Sequence, residues 1–459
     1  MISQGDLVDR LARRSLAAWS VAEHVQDVAL SDELHTLRRR ERRTRLIVSL
    51  HQDVPRGRGS ARLDLDAFDG SADDLIDQLA TLALTSIGPA WPSAPPAAPA
   101  RVALVDNELI KRELDAVARA ILVRLRRPAG LAVTASAEAL REKVTVIASS
   151  GFRTSWVATA LRVDATLAIE SAASAADLAG PPGPRPTPPD TTATATTAPI
   201  ATPGGAPSLA ISRVARRLDD LELDDALAGA AADLRHLAAA GPAPAGPCAL
   251  WLGPDALLHG DELGLWAVFA HQADSAVERQ GLTRYRWRSA IAPGATELAE
   301  PLSILSDGAL DFAALSAPVT DDAVAIRRFP LIDRGVAVGL GLSPREAALR
   351  SSDPNGGVRN LIVAPGSWSA GPSATRRTIE LRRLRALTID PYTGDATLDI
   401  ALGLEHRPDR GEPTPFTGGS IRLDLVSALA GARRSSQPLR RAAYHGPASV
   451  LIEDAELLP

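Results

Sequence analysis

The sequence predicts an α+β protein in which an N-terminal helix-and-sheet domain (1–177) is joined by a Pro/Thr/Ala-rich linker (178–208) to a C-terminal domain (209–459). That second domain is expected to be mainly β, barrel-like or sandwich-like. Three observations carry this reading. A chain of 459 residues exceeds one ordinary core. The run Pro181-Pro182-Gly183-Pro184-Arg185-Pro186-Thr187-Pro188-Pro189, followed by Thr/Ala repeats and Pro203-Gly204-Gly205, loses backbone donors, fixes φ and offers nothing apolar to bury. Beyond it, short apolar runs alternate with turn residues at the spacing of a barrel or sandwich.

In chain order, 7–40 has helical character. Residues 44–50 and 61–66 read as a hairpin with a Gly-rich turn at 56–60. A helix over 72–83 precedes a Pro/Ala break at 91–99, and a second helix spans 106–126 with Asp106 or Asn107 as its N-cap. Strands follow at 131–135, 143–147 and 157–169, an order that suits helices packed on an antiparallel or mixed sheet. Past the linker, helices are expected at 210–239 and 258–275. Strands are expected at 304–306, 336–340, 361–364, 378–381, 384–390, 395–401, 419–425 and 449–452, punctuated by Asp353-Pro354-Asn355-Gly356-Gly357, Asp390-Pro391-Tyr392-Thr393-Gly394 and Thr417-Gly418-Gly419.

Composition narrows the function classes. A formal charge of -5 spread over the whole chain argues against a general nucleic-acid binder. The Arg-rich runs 38–45 and 376–385 are interrupted by Glu41 and Glu380 and lack stacking aromatics, so a solvated strand face is the default; Arg382, Arg383 and Arg385 are the alternative candidates for a partner subunit or peptide carboxylates. The single cysteine, Cys248, lies in an apolar strand-like run and is expected to be reduced and buried. Early charges at Asp6, Asp9, Arg10, Arg13 and Arg14 do not suit a signal peptide, and no uncharged run spans a bilayer, so a soluble cytoplasmic protein is expected.

The segment Leu257-Leu258-His259-Gly260-Asp261-Glu262-Leu263-Gly264 is peptidase-like without the chemistry. A zincin helix needs two His on one face and a Glu beside the first to polarise bound water. Only His259 fits; Gly260 stands where the general base belongs and Gly264 where the second ligand belongs. In a plainer reading, His259 flanks an ordinary amphipathic helix running through Trp266, Phe269 and His271. No metal ligand and no catalytic residue is assigned. Asp321-Asp322 reads as a solvated turn sooner than an acid/base pair. Ser306 and Ser367 lack a His at triad spacing, and Gly339-Leu340-Gly341 lacks the βαβ context of a dinucleotide site.

Taken in order, several motifs resemble the TldD/PmbA family of metallopeptidase-related proteins, once called modulators of DNA gyrase. They are Glu142-Lys143-Val144-Thr145-Val146-Ile147-Ala148-Ser149-Ser150-Gly151-Phe152, Leu305-Ser306-Asp307-Gly308, Ala317-Pro318-Val319-Thr320-Asp321-Asp322 and Pro330-Leu331-Ile332-Asp333-Arg334-Gly335. The series continues with Asn360-Leu361-Ile362-Val363-Ala364-Pro365-Gly366, Asp390 to Asp395, and Phe416-Thr417-Gly418-Gly419-Ser420-Ile421. A Ser replaces the family's usual Asn near 149–150. The family's TldD-type subunit carries a His-Glu-x-x-x-His helix and a later cysteine ligand, whereas the TldE (PmbA)-type subunit lacks them and pairs with TldD. This chain keeps His259 alone and has no cysteine after Cys248, so it looks TldE-like.

The resemblance implies a non-catalytic subunit, without a cofactor of its own, of a heterodimer. Its TldD-like partner would hold zinc and hydrolyse unfolded peptides, including leader segments of ribosomally made peptide natural products. Asn360, Leu361, Ile362, Val363, Thr378, Glu380 and Arg382 are the candidate peptide or partner contacts, with edge-strand pairing as the expected mode. Two other readings stay open: a peptidase with a rearranged metal site drawn from His259, Glu262, His271 and His406 or His445, and a binding module contacting a topoisomerase or nucleic acid.

Overall fold

The computed structural model describes residues 3–32, 38–66, 70–91, 98–125, 130–169, 207–260 and 262–459. The expected linker lies outside the described residues up to position 206, as do most of the Pro/Ala break, Arg126 and Asp261.

The N-terminal elements are α1 (Gln4–Leu11), β1 (Ala18–Asp32), β2 (Arg38–Val54), β3 (Gly57–Leu65), α2 (Ala72–Ala83), β4 (Ile87–Gly88), α3 (Asn107–Lys111), α4 (Leu114–Leu125), β5 (Leu131–Ala148) and β6 (Arg153–Ile169). With β7 (Ser208–Ala215) they build one antiparallel sheet in the order β4-β3-β2-β1-β5-β6-β7. The capping box of Ser71 and Asp74 starts α2 where the sequence places it. Leu75, Ile76 and Leu79 of α2 then pack with Leu7 and Leu11 of α1 on Trp19, Val21, Val48 and Leu50. A second core joins α4 and α5 (Leu223–Ala238) to β5, β6 and β7.

Five local expectations are corrected. Residues 18–32 are strand, not helix: β1 is central and Trp19, Ser20, Val21 and Ala22 are all buried, so coverage of both faces erases the period-two signal. The hairpin turn is tighter than 56–60, because Val54 pairs with Gly57 across Pro55 and Arg56. Asp106 does cap a helix, accepting from the Glu108 amide, but Arg112 is extended and splits 106–126 into α3 and α4. The 210–239 segment opens with β7, whose Leu209, Ile211, Arg213 and Ala215 are buried in alternation, before α5 begins. The expected strands 131–135 and 143–147 are one continuous β5.

In the C-terminal part, strands Gly246–Leu252, Val450–Leu458, Ser420–Asp424, Asp395–His406 and Thr378–Ile389 pair in a ring and close a five-strand barrel. The expected strands 378–381 and 384–390 are continuous, with β-bulges near Arg383. A six-stranded sheet runs Val336–Ala337, Arg328–Asp333, Ile304–Asp307, Asn360–Val363, Tyr444–Pro447, Pro438–Arg441. One apolar core, containing Leu250, Ile379, Leu398, Trp266, Phe269, Leu331 and Tyr444, spans barrel and sheet. No described helix is long and apolar enough to cross a membrane.

Candidate functional site

After the barrel strand Gly246–Leu252 the chain makes only one helical turn, α6 (Pro254–Leu257), with Pro254 supplying the fixed φ favoured at a helix start. The continuous helix expected over 258–275 is absent. Leu258 leaves helical geometry, and Gly260 and Gly264 take φ of 97° and 56° before a short 3-10 turn, Gly264–Trp266, and a helix, Ala267–Gln272. His259 and Glu262 therefore do not share a helical face. A Cβ on Gly264 would sit 2.3 Å from the Leu257 carbonyl oxygen and 2.4 Å from Leu258 Cα, both backbone atoms. A Cβ on Gly260 would meet open space. The position aligned with a second metal ligand is thus filled by the chain itself.

His259 is half-buried, and burial together with the nearby Arg383 charge holds its imidazole below the ordinary pKa, in the neutral form. The histidines of a rearranged site are spread out. His271 is exposed, His406 Nε2 bonds Glu380 Oε2 at 2.9 Å, and His445 is half-buried in strand Tyr444–Pro447. Among the described residues no three His, Cys, Asp or Glu side chains are grouped to hold a metal ion. The donors described do not converge in a set that fits a zinc ion. Cys248 is a buried free thiol whose pKa is pushed up by burial.

Beside this segment lies a cleft of about 160 Å³ lined by residues of β7, α5 and α6 together with Arg382 and Arg441. At its floor Asp255 receives three guanidinium groups: Arg213 Nη2 at 2.9 Å, Arg441 Nη1 at 2.7 Å and Arg383 Nη1 at 2.9 Å. Burial opposes the Asp255 charge, but the three arginines outweigh it and hold the carboxyl far below the usual range. Asp233 of α5 is almost fully buried and is bridged by Arg382 Nε at 2.9 Å and Arg383 Nε at 2.7 Å. Arg382 also donates to Glu380, which His406 engages from the other side.

The expected contact residues are thus placed as follows. Asn360 is buried and bonded at both ends of its amide, donating to Asp307 O and Ser316 Oγ and accepting from the Leu315 amide. Leu361 and Val363 are core residues and Ile362 is half-buried, in a strand with neighbours on both sides. Thr378 is buried and its hydroxyl is locally bonded; it and Glu380 lie in a barrel strand that is likewise paired on both sides. Neither strand has a free edge, so edge pairing is closed to both. Arg382 alone of the set lines the cleft. The Arg-rich runs are largely spent on ion pairs within the chain: Arg39 and Arg43 with Glu41, Arg45 with Asp64, Arg376 with Asp454, Arg377 with Glu405.

A second cluster was not legible in the sequence. Asp321 and Asp322, expected as a solvated turn, dock on the N-terminal sheet. Asp321 accepts from His24 Nε2 at 3.0 Å and Arg62 Nη2 at 2.9 Å, while Asp322 accepts from Arg62 at 3.3 Å and from Ser49 Oγ. His24 Nδ1 meets Glu142 at 3.0 Å. Val319 and Ala323 cover Ala22, Ile47, Val144 and Val146 beside them.

No family model matches the chain, and no curated protein matches it in sequence. Solved structures do match in fold. A candidate modulator of DNA gyrase from Bacteroides thetaiotaomicron superposes with a TM-score of 0.71 at 14% identity, covering 100% of each chain. TldE from Thermococcus kodakarensis gives 0.70 at 14%, again over 100% of each. A candidate modulator of DNA gyrase from Thermotoga maritima gives 0.71 at 14%, over 99% of this chain and 100% of that one. The chain therefore has, end to end, the architecture of a gyrase-modulator-like α+β protein. That architecture matches the TldD/PmbA resemblance read from the motifs.

Proposed function

We propose that this chain is a non-catalytic, TldE-like subunit of a heterodimeric zinc metallopeptidase acting on unfolded peptides, leader segments of ribosomal peptide natural products among them. The metal and the hydrolytic chemistry belong to a TldD-like partner. One observation carries the reading: at position 264, where a second ligand would stand, the backbone turns back so closely that no side chain fits, and the His259 segment is not a helix. The likeness in fold to TldE supports the choice of subunit type. In this reading the chain contributes surface to a substrate chamber and holds peptide there.

The test is metal analysis and hydrolysis of an unstructured peptide, on the chain alone and after co-expression with a TldD-like protein from the same genome. Metal and hydrolysis are expected only in a co-purifying complex. Stoichiometric zinc and cleavage by the isolated chain would overturn the proposal.

A further inference from the structure

We infer that the exposed loops 282–288 and 390–394 form one docking surface, and that its occupant is an acidic patch on the catalytic-type partner subunit. The inference rests on the subunit role proposed above and says where that partner sits. The short helix Ala267–Gln272, which follows the His259 segment, ends in a buried amide that joins the two loops. Gln272 Oε1 accepts from the Arg284 and Tyr285 amides at 3.1 and 3.3 Å, and its Nε2 donates to the Pro391 and Tyr392 carbonyls at 2.8 and 2.7 Å. All four bonding positions of the amide thus hold these loops side by side. Leu282, Trp287 and Tyr392 project from them, 50%, 38% and 48% exposed, and the latter two are the only aromatics among the exposed large apolar side chains of the described residues. The indole is fixed in place: its Nε1 donates to the Val338 carbonyl at 3.0 Å, and the Arg288 guanidinium stands 4.2 Å from the ring centroid. Arg288 reaches that position from a φ of 65°, which is costly for a residue with a β-carbon. The Asp390 carboxylate accepts from the Tyr392 and Thr393 amides and sets the second loop. Aromatics placed in advance lose little freedom when a partner covers them, and Trp, Tyr and Arg are the residues that dominate binding at protein interfaces.

Charge selects the occupant. Arg284 is spent on Asp424 at 2.7 Å and Asp395 at 3.6 Å. Arg286 and Arg288 are exposed; the first donates to the main-chain carbonyls of Gly281, Thr283 and Tyr285, the second covers the indole, and neither meets a carboxylate among the described residues. Carboxylates on a protein partner supply the missing counter-charge. Two such cations are too few for a nucleic-acid backbone, where binding grows with the number of phosphates neutralised.

The experiment measures the affinity of the full chain for a TldD-like protein from the same genome by biolayer interferometry, with circular dichroism confirming the fold of each variant. Trp287→Ala and Tyr392→Ala are each expected to weaken pairing by about tenfold. Arg288→Glu is expected to weaken it more at low salt than at high. Val123→Ala, at a 59% exposed side chain of α4, is expected to leave it unchanged. Pairing that the three surface substitutions leave intact removes the surface and spares the subunit role, whereas no pairing by the unaltered chain removes both. Self-association of the isolated chain that Trp287→Ala abolishes would give the surface to a second copy and overturn its assignment to the partner.

Discussion

The two charged clusters of this molecule use the same kinds of side chain to opposite ends. In the clasp between the N-terminal sheet and the 319–323 turn, His24 and Arg62 are matched against Glu142, Asp321 and Asp322, and Ser20 and Ser49 hydroxyls complete the Asp322 shell. Every partner is answered, and the result is a joint between the 319–323 turn and the sheet. In the cleft, arginines hold Asp233 and Asp255, and two further carboxylates, Glu222 and Asp225, line open space beside them. The lesson is that the same charge pairing closes a joint where apolar side chains pack beside it and leaves a cleft where they do not. The clasp also contains a group that titrates, whereas the cleft is held by guanidinium, which stays charged at any pH the protein meets.

The sharpest way to break the contrast is Asp255→Asn. Three guanidinium groups would then converge on a neutral amide, and a loss of about 3–5 kcal/mol is expected in urea unfolding. A loss below about 1 kcal/mol would mean the arginines are solvated and the cleft is no organised site.

Next in size is Gly264→Ala, which tests whether backbone geometry sets the frame around the cleft. Strain at positive φ plus overlap with the Leu257 carbonyl should cost about 2–4 kcal/mol. Gly260→Ala, with open space around its Cβ, should cost about 1–2 kcal/mol.

The clasp predicts a pH signature. Burial pulls the His24 pKa down, but hydrogen bonds to Asp321 and Glu142 outweigh it and raise it from 6.5 to about 9. A raised folded pKa means the contribution is whole below about 6.5 and is lost as pH climbs through about 9. Glu142 and Asp321 are held low by the same pairing against the effect of burial, so their share is present above the ordinary carboxylate range and fades in acid. Melting at pH 6.5 and 9.5 should therefore differ by about 2 kcal/mol more in wild type than in His24→Gln. Equal pH slopes would show that His24 is not charged in the clasp. Smallest is Arg62→Ala, whose half-exposed pairs should be worth less than about 1 kcal/mol.

What the sequence disclosed follows from how local each signal is. α2 was legible to the residue because its capping box and apolar period sit within its own span. β1 was not, since the coverage that buries both faces comes from helices and a turn distant in the chain. Closure of the barrel was foreseen only as a class, because the pairing of Gly246–Leu252 with Thr378–Ile389 and Val450–Leu458 joins distant stretches. At the site, the missing Glu and second His could be read directly, as Gly260 and Gly264. The cleft could not: Arg213, Asp255, Arg383 and Arg441 come from four separate elements, and the Arg-rich run 376–385 gave no hint that Asp233 and Asp255 answer it. The Asp321-Asp322 pair had the same fault, its partners His24 and Arg62 lying at the far end of the chain.

The glycine at 264 also limits what a single codon can change. A metal ligand is often pictured as something one substitution can supply. Here the Leu257 carbonyl occupies the volume that the β-carbon of a histidine would need, so a ligand at this position would first require the main chain to be remodelled. The fold itself keeps the position closed.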